Sequence, residues 1–328
     1  MKTTIVDIAR ECGVGKSTVS RILSGMAASH NQEMVVKVRE TAKKLGYRPN
    51  MGARTFVKGS SSLIGMVGVS HTVRFFANLR RGLEICIDKN GYLPVSLCPL
   101  PDRRDSISSI VQKLLNYRAE GVIIIPGEKD TLDDYIEFKH YNIPVVFANL
   151  PIPGWNDCNF VGTDDYEGGK IAAERFFDLG HRNAVIAMSC MLRLPDFEQR
   201  RQGFDDAFKA LGGSVTVSYE GADDLLSGLD GATAVFAVSD LIAKLLSVAA
   251  WKCGMRIPDD FSLIGFGDKD ECFGTSPPLT VINQDGFKVG TKAAELLLEN
   301  IKNKKSNVVT QQIRLVPTLS IGSSDRKI

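Results

Sequence analysis

The sequence predicts a small all-α helix-turn-helix head followed by an α/β body built on parallel sheets. Three observations predict it. Near the start, Ile5, Ile8, Ala9 and Cys12 recur at i, i+3, i+4 and i+7, the stripe of a short amphipathic helix. After about residue 60 the texture changes to short β-branched runs alternating with helical segments: LIGMVGV, GVIIIP, PVVFA, NAVIAM, TAVFAV and FSLIGF. Runs that are apolar on both faces belong to strands covered by helices on either side, as in parallel sheets. The charge also changes sign, with 11 Lys+Arg against 4 Asp+Glu in residues 1–58, a net +7, and 29 against 34, a net −5, in the remainder. The whole-chain value of +2 conceals a basic head suited to a polyanion.

Taken in order, the first helix starts at Thr4 with Asp7 as its capping-box partner, and stops at Gly13, which can take the left-handed conformation of a tight turn. Residues 13–18, GVGKST, read like the end of a nucleotide-binding loop. A Walker A loop would need a glycine at position 10 after a buried strand; the residue is Arg10, and it lies on a helix. A second helix instead follows, burying Val19, Ile22 and Leu23 and turning Ser17, Ser20, Arg21 and Ser24 outward. Two short helices joined by a glycine turn are a helix-turn-helix, whose second helix enters the DNA major groove. A third, capped by Asn31 and running through Val35, Val38, Ala42 and Leu45, closes the small core. The linker YRPNMGARTFVKGSSS, marked by Pro49, Gly52, Gly59 and three serines, then leads into the body.

Composition excludes several classes. The seven cysteines are scattered, without a C-x-x-C pair or metal-ligand spacing, and read as small core residues of a reducing compartment. There is no signal-peptide pattern and no apolar run long enough to span a bilayer, so a cytoplasmic, nucleoid-associated protein without membrane contact is expected. None of the four histidines (30, 71, 140 and 181) has a Ser, Cys or Asp partner by motif. Neither an enzyme nor a bound cofactor or metal is expected, and His181 in LGHRN is read as structural.

TIVDIARECGVGKSTVSRILSG followed by VRETAKKLGYRPN resembles the N-terminal domain of the lactose-repressor (LacI) family of bacterial transcription regulators. The match is ungapped through residues 3–24 and again through 31–58. VxxxTVSRxL with GYxPN is a specific combination. The resemblance implies that Lys16, Ser17 and Arg21 read bases, with Thr18 and Ser24 as nearby contacts. Arg21 could donate two bonds to O6 and N7 of guanine, and Lys16 could reach a guanine or a phosphate. Gly15 stands where the family usually has a serine cap. The linker would form a hinge helix in the minor groove, with Asn50 and Arg54 on DNA and Phe56 in the place of the family's leucine wedge.

The body resembles the family's effector-binding core, two doubly wound parallel-sheet subdomains of periplasmic-binding-protein type with a cleft between them. Pieces that carry the likeness include RFFANLRRGLE, VGTDDYEGG, RRQGFDDAF and IPDDFSLIGFGD. The implied organisation is a head at 1–49, a hinge and linker at 50–59, and a core at 60–322. Within the core, the N-subdomain takes about 60–161 and 289–319 and the C-subdomain about 162–288; residues 323–328 form a tail. Carried over by position, the pocket is Phe75, Asn149, Arg200, Ser239, Asp240 and Gln284. One of Phe75 and Phe76 is expected in the core, and Asp240 has the alternative of capping the helix after its strand. The family's sugar-binding acid aligns with Gly267, leaving Asp268, and the loop after VTVSY is shortened to EGADDLL.

The implied effector is a sugar or a sugar acid or phosphate, and these departures point to the acidic or phosphorylated kind, with Arg74 or Arg200 as counter-ion. The implied protein is a homodimeric repressor on a pseudopalindromic operator, controlled by a small polar effector. Lactose-repressor-type tetramers carry a C-terminal leucine heptad, and with LSIGSSDRKI in its place a dimer is expected. The rival readings are a periplasmic binding protein, which would lack the basic head, a P-loop NTPase and a metabolic enzyme.

Overall fold

The computed structural model describes residues 3–24, 31–48, 60–68, 73–99, 105–155, 157–188, 194–272, 274–303 and 310–328. It separates a head, up to Ser61, from a core beginning at Ser62. The head is three helices, α1 (Ile5–Cys12), α2 (Lys16–Leu23) and α3 (Gln32–Lys44). The backbone N–H of Thr4 donates to the Asp7 carboxylate at 2.9 Å, and its hydroxyl does so at 2.7 Å. Gly13 ends α1 with φ +71°, the left-handed conformation that a β-carbon resists, and this reverses the chain into α2. Asn31 accepts from the Glu33 N–H to cap α3. Ile8, Val19, Ile22 and Val38 are almost completely buried at the centre of this small core.

In the core the order is β1 (Leu63–Val67), α4 (Arg74–Lys89), β2 (Leu93–Leu97), α5 (Asp105–Asn116), β3 (Gly121–Ile124), α6 (Leu132–His140), β4 (Val145–Ala148) and β5 (Asn159–Thr163). Then follow α7 (Asp165–Asp178), β6 (Asn183–Ala187), α8 (Pro195–Ala210), β7 (Ser214–Ser218), α9 (Ala222–Ser227), β8 (Ala234–Ala237), α10 (Asp240–Cys253), β9 (Ser262–Gly267) and α11 (Lys269–Cys272). The last elements are β10 (Thr280–Asn283), α12 (Gly286–Lys302), β11 (Gln312–Leu315) and β12 (Thr318–Ser320). Two six-stranded sheets result, β2-β1-β3-β4-β5-β11 and β7-β6-β8-β9-β10-β12; every pairing is parallel except β10 with β12. The central strands β3, β4 and β8 are buried at every residue, whereas the edges β2 and β7 are not.

The chain passes between sheets three times, after Thr163, after Asn283 and after Leu315. The expected crossings near 288 and 320 therefore fall a few residues earlier. Asp285 already caps α12 through the Lys288 N–H, and α12 packs on α4 of the first sheet. Residues 318–320 pair with the second sheet, and the expected tail is stitched to it as well. Ser324 is buried and accepts from the Thr280 N–H at 2.8 Å, while Asp325 meets Arg175 at 2.7 Å. His181 holds the same segment. Burial pushes its pKa down, so the neutral ring donates from Nε2 to the Arg326 carbonyl at 3.2 Å and accepts at Nδ1 from the Thr233 hydroxyl at 2.8 Å.

Each sheet is flanked by one very close helix pair, α4 with α12 and α7 with α8. Glycine makes the approach possible. A β-carbon on Gly290 would lie 2.0 Å from the Leu79 carbonyl oxygen, and one on Gly203 would lie 1.9 Å from that of Tyr166. Among the described residues no helix is long and apolar enough to cross a membrane.

Candidate functional site

The head presents one face built for contact. Val19 and Ile22 anchor α2 in the core, which turns Lys16, Ser17, Ser20 and Arg21 to solvent, with Thr18 and Ser24 half-buried beside them. The Ser24 hydroxyl donates to the Arg21 carbonyl at 3.0 Å and closes the last turn. Gly15 supplies no side-chain cap, so the first N–H groups of α2 keep their positive end for an anion. Asn50, Arg54 and Phe56 lie outside the described residues.

In the core, β5, β10 and β11 all leave their sheets at their C-terminal ends to make the crossings, so the C-terminal ends of both sheets meet at the junction. Open α/β sheets bind ligands there. Asn149 directly follows β4, with φ +75°, and its N–H donates to the Val161 carbonyl. Gln284 directly follows β10; its side-chain oxygen accepts from Thr163, which ends β5, at 3.2 Å, so the two crossings are tied together. Ser239 follows β8 and caps α10 by accepting from the Ile242 N–H at 3.3 Å. Asp240 is the first residue of α10, and burial raises its pKa. Its side chain fills the space beside Gly267: a β-carbon there would stand 2.7 Å from that of Asp240 and 3.2 Å from Oδ2. Asp240 thus stands beside position 267, where the resemblance would place the family's sugar-binding acid.

Two expectations change. Phe75 is buried in the core of the first sheet, edge-on to Phe76 at 5.2 Å, so it is Phe76 that keeps partial exposure. Arg200 does not stand open as a counter-ion. Its guanidinium, 3% exposed as a residue, donates from Nε to Asp165 at 2.8 Å, from Nη2 to Asp196 at 3.0 Å and from Nη1 to the Val238 carbonyl at 2.8 Å, and lies 3.9 Å over the Phe266 ring. Two buried carboxylates share one cation, and burial pushes the Asp165 carboxyl up to about 6 against the pull of Arg200. Among the described residues Asp196 Oδ1 has no hydrogen-bond partner. Arg74 is likewise paired, 3.7 Å from Asp268 and 3.5 Å from Asp270, across the junction. Asn78, one helical turn on, donates to Asp268 at 2.8 Å.

Sequence reading missed Asp165, Asp196 and Asn78. The i, i+4 spacing of Asp196 to Arg200 and of Arg74 to Asn78 was the available signal. Among the described residues no group of three or more His, Cys, Asp or Glu could hold a metal ion.

Comparison with known proteins follows this division. Residues 4–50 match the family described as bacterial regulatory proteins, lacI family, and residues 173–324 match the periplasmic binding protein-like domain. The HTH-type transcriptional repressor PurR of Mannheimia succiniciproducens is 30% identical over 340 residues, covering 99% of both chains.

The chain belongs to the lacI family.

The lac repressor dimer bound to operator and the anti-inducer ONPF superposes on this lacI-family chain with a TM-score of 0.83 at 22% identity, covering 99% of each. A LacI-family regulator of Enterococcus faecalis with bound ribose does so with a TM-score of 0.69 at 26% identity, covering 81% of this chain and 99% of its own. The lacI-family chain is therefore a DNA-binding transcription regulator with a ligand-binding core. Its basic head and its α/β body are the two parts of one such protein.

Proposed function

We propose that the protein is a homodimeric repressor that reads a pseudopalindromic operator with α2 and releases or grips it according to an uncharged, hydroxyl-rich effector, such as a sugar, bound where the two sheets meet. The exposed face of α2, with Lys16, Ser17 and Arg21 on a helix whose other side is locked in the head core, carries the DNA reading. Arg21 suits a bidentate guanine contact and Lys16 a base or phosphate, with Thr18 and Ser24 alongside. Asn50, Arg54 and Phe56 complete the proposal in the minor groove. Replacing Arg21 with alanine is expected to weaken binding to an operator selected from random duplexes by about 1–3 kcal/mol, while nonspecific binding falls far less. Equal losses on both DNAs would refute base reading by Arg21.

For the effector, the two arginines expected as counter-ions, Arg200 and Arg74, are each already paired with carboxylates, which favours an uncharged ligand over an acidic or phosphorylated one. Among the described residues, the groups that remain suit hydroxyls: Asp196 Oδ1, which has no hydrogen-bond partner there, the Asp240 carboxylate beside Gly267, and the amides of Asn149 and Gln284. The ribose bound by the Enterococcus faecalis regulator agrees with that chemistry. For the dimer, α10 offers an apolar stripe of Leu241, Leu245, Val248 and Trp251, each more than half exposed. An apolar helix face of this kind normally has a partner. Leu245→Asp is expected to sediment as a monomer at micromolar concentrations where the wild type sediments as a dimer; an unchanged dimer would place the interface elsewhere.

A further inference from the structure

A second cavity lies at the opposite end of the first sheet, at the N-terminal ends of β4 and β5 and against the last turns of α12. It has a volume of about 440 Å³, and its walls include Pro144, Val145, Trp155, Cys158 and Asn300. Cavities of roughly 300–1,000 Å³ accept small molecules. Helix rise puts Asn300 roughly 20 Å along α12 from Gly286 at the junction, so this cavity is separate from the effector site.

Asn300 is the group that singles the cavity out. The residue is 4% exposed, and among the described residues neither its Nδ2 nor its Oδ1 has a hydrogen-bond partner. It follows Leu296, Leu297 and Leu298, which are buried in the core, and an apolar residue would be the inexpensive choice there. A buried amide with its bonds unmade is costly and needs an explanation. The walls and rim narrow the chemistry. Trp155, 7% exposed and edge-on to Phe147 at 5.0 Å, gives an aromatic surface. At the mouth the Lys139 ammonium and the Asp157 carboxylate neutralise each other at 2.9 Å, so the rim favours neither sign of charge. Among the described lining residues, Asn300 is the buried carboxamide with neither atom bonded, and it sets a donor and an acceptor side by side in the wall.

We propose that this cavity is a second ligand site, for a small uncharged molecule that carries an N–H next to a C=O on one edge, that is, a lactam or cyclic urea. The Asn300 Oδ1 accepts from the ligand N–H, its Nδ2 donates to the ligand carbonyl, and Trp155 covers the ring. The inference does not depend on what the cleft binds.

The probe is δ-valerolactam, titrated into the full-length protein while the Trp155 indole N–H resonance is followed by NMR. A saturable shift is expected with a dissociation constant on the order of 1 mM, as suits so few atoms. N-methyl-δ-valerolactam, which lacks the N–H, is expected to bind at least tenfold more weakly. Asn300→Leu is expected to lose the shift and to melt at a higher temperature than the wild type, because it removes the unpaired amide. The proposal is overturned if the Trp155 signal does not saturate, as it would not if Asn300 held only an ordered water. It is also overturned if the N-methyl compound binds equally, or if Asn300→Leu still binds.

Discussion

Arg200→Ala is expected to destabilise the core by about 3–5 kcal/mol, measured by urea unfolding at pH 7, because it strands two carboxylates that share one buried cation. Asp165 and Asp196 are both less than a tenth exposed, and each bonds to Arg200 at 3.0 Å or less. The sign is fixed by desolvation. Burial, with repulsion from Asp196, already holds the Asp165 pKa near 6 against the pull of the arginine, so removing the guanidinium makes keeping charge on the two carboxyls costlier still. A triple variant with Arg200→Met, Asp165→Asn and Asp196→Asn is expected to recover most of the loss, since replacing a whole buried ion cluster is far milder than breaking it. A loss below about 1 kcal/mol for Arg200→Ala alone would show that the cluster is hydrated rather than buried. One consequence concerns ligand assays: weaker effector binding by Arg200→Ala would mix loss of contact with loss of fold.

Gly203→Ala is expected to cost about 3 kcal/mol or more, although it adds a single methyl group. The new β-carbon would meet the Tyr166 carbonyl oxygen at 1.9 Å, and a backbone atom cannot swing aside as a side-chain tip can. Relief requires α7 and α8 to separate. Because α7 carries Asp165 and α8 carries Asp196 and Arg200, the strain reaches the ion cluster directly. Gly228→Ala is the control, with no heavy atom nearer than 3.7 Å to its new β-carbon and an expected change within about 0.5 kcal/mol. Denaturant midpoints for the two variants, taken with unchanged slopes, check both expectations.

The central strands were legible in the sequence because burial on both faces leaves no alternative to a continuous apolar run, as in β3, β4 and β8. The edge strand β2 reads LPVSL, with a proline and every residue at least partly wet, and such a pattern is hard to separate from a loop. The helices of the head were legible to within a residue, since Thr4, Gly13 and Asn31 are caps whose chemistry is local. The ligand site was only half legible. Arg200 was visible by position, but its partner Asp165 lies 35 residues away on another helix, and only the close approach of α7 to α8 brings them together. Asp240 stands against Gly267 for a similar reason: two strand ends converge, which no local pattern records.

The stitching of residues 324–326 to Arg175, His181 and Thr280 has a consequence for the order of events during synthesis. The first sheet lacks its edge until β11 has been made, and the second lacks β12 and its final seam until still later. Among the described residues, the core of the three-helix head draws on nothing beyond Tyr47. On the ribosome, therefore, the DNA-reading part is expected to fold first and alone, while the part that senses ligand stays open until translation is nearly over.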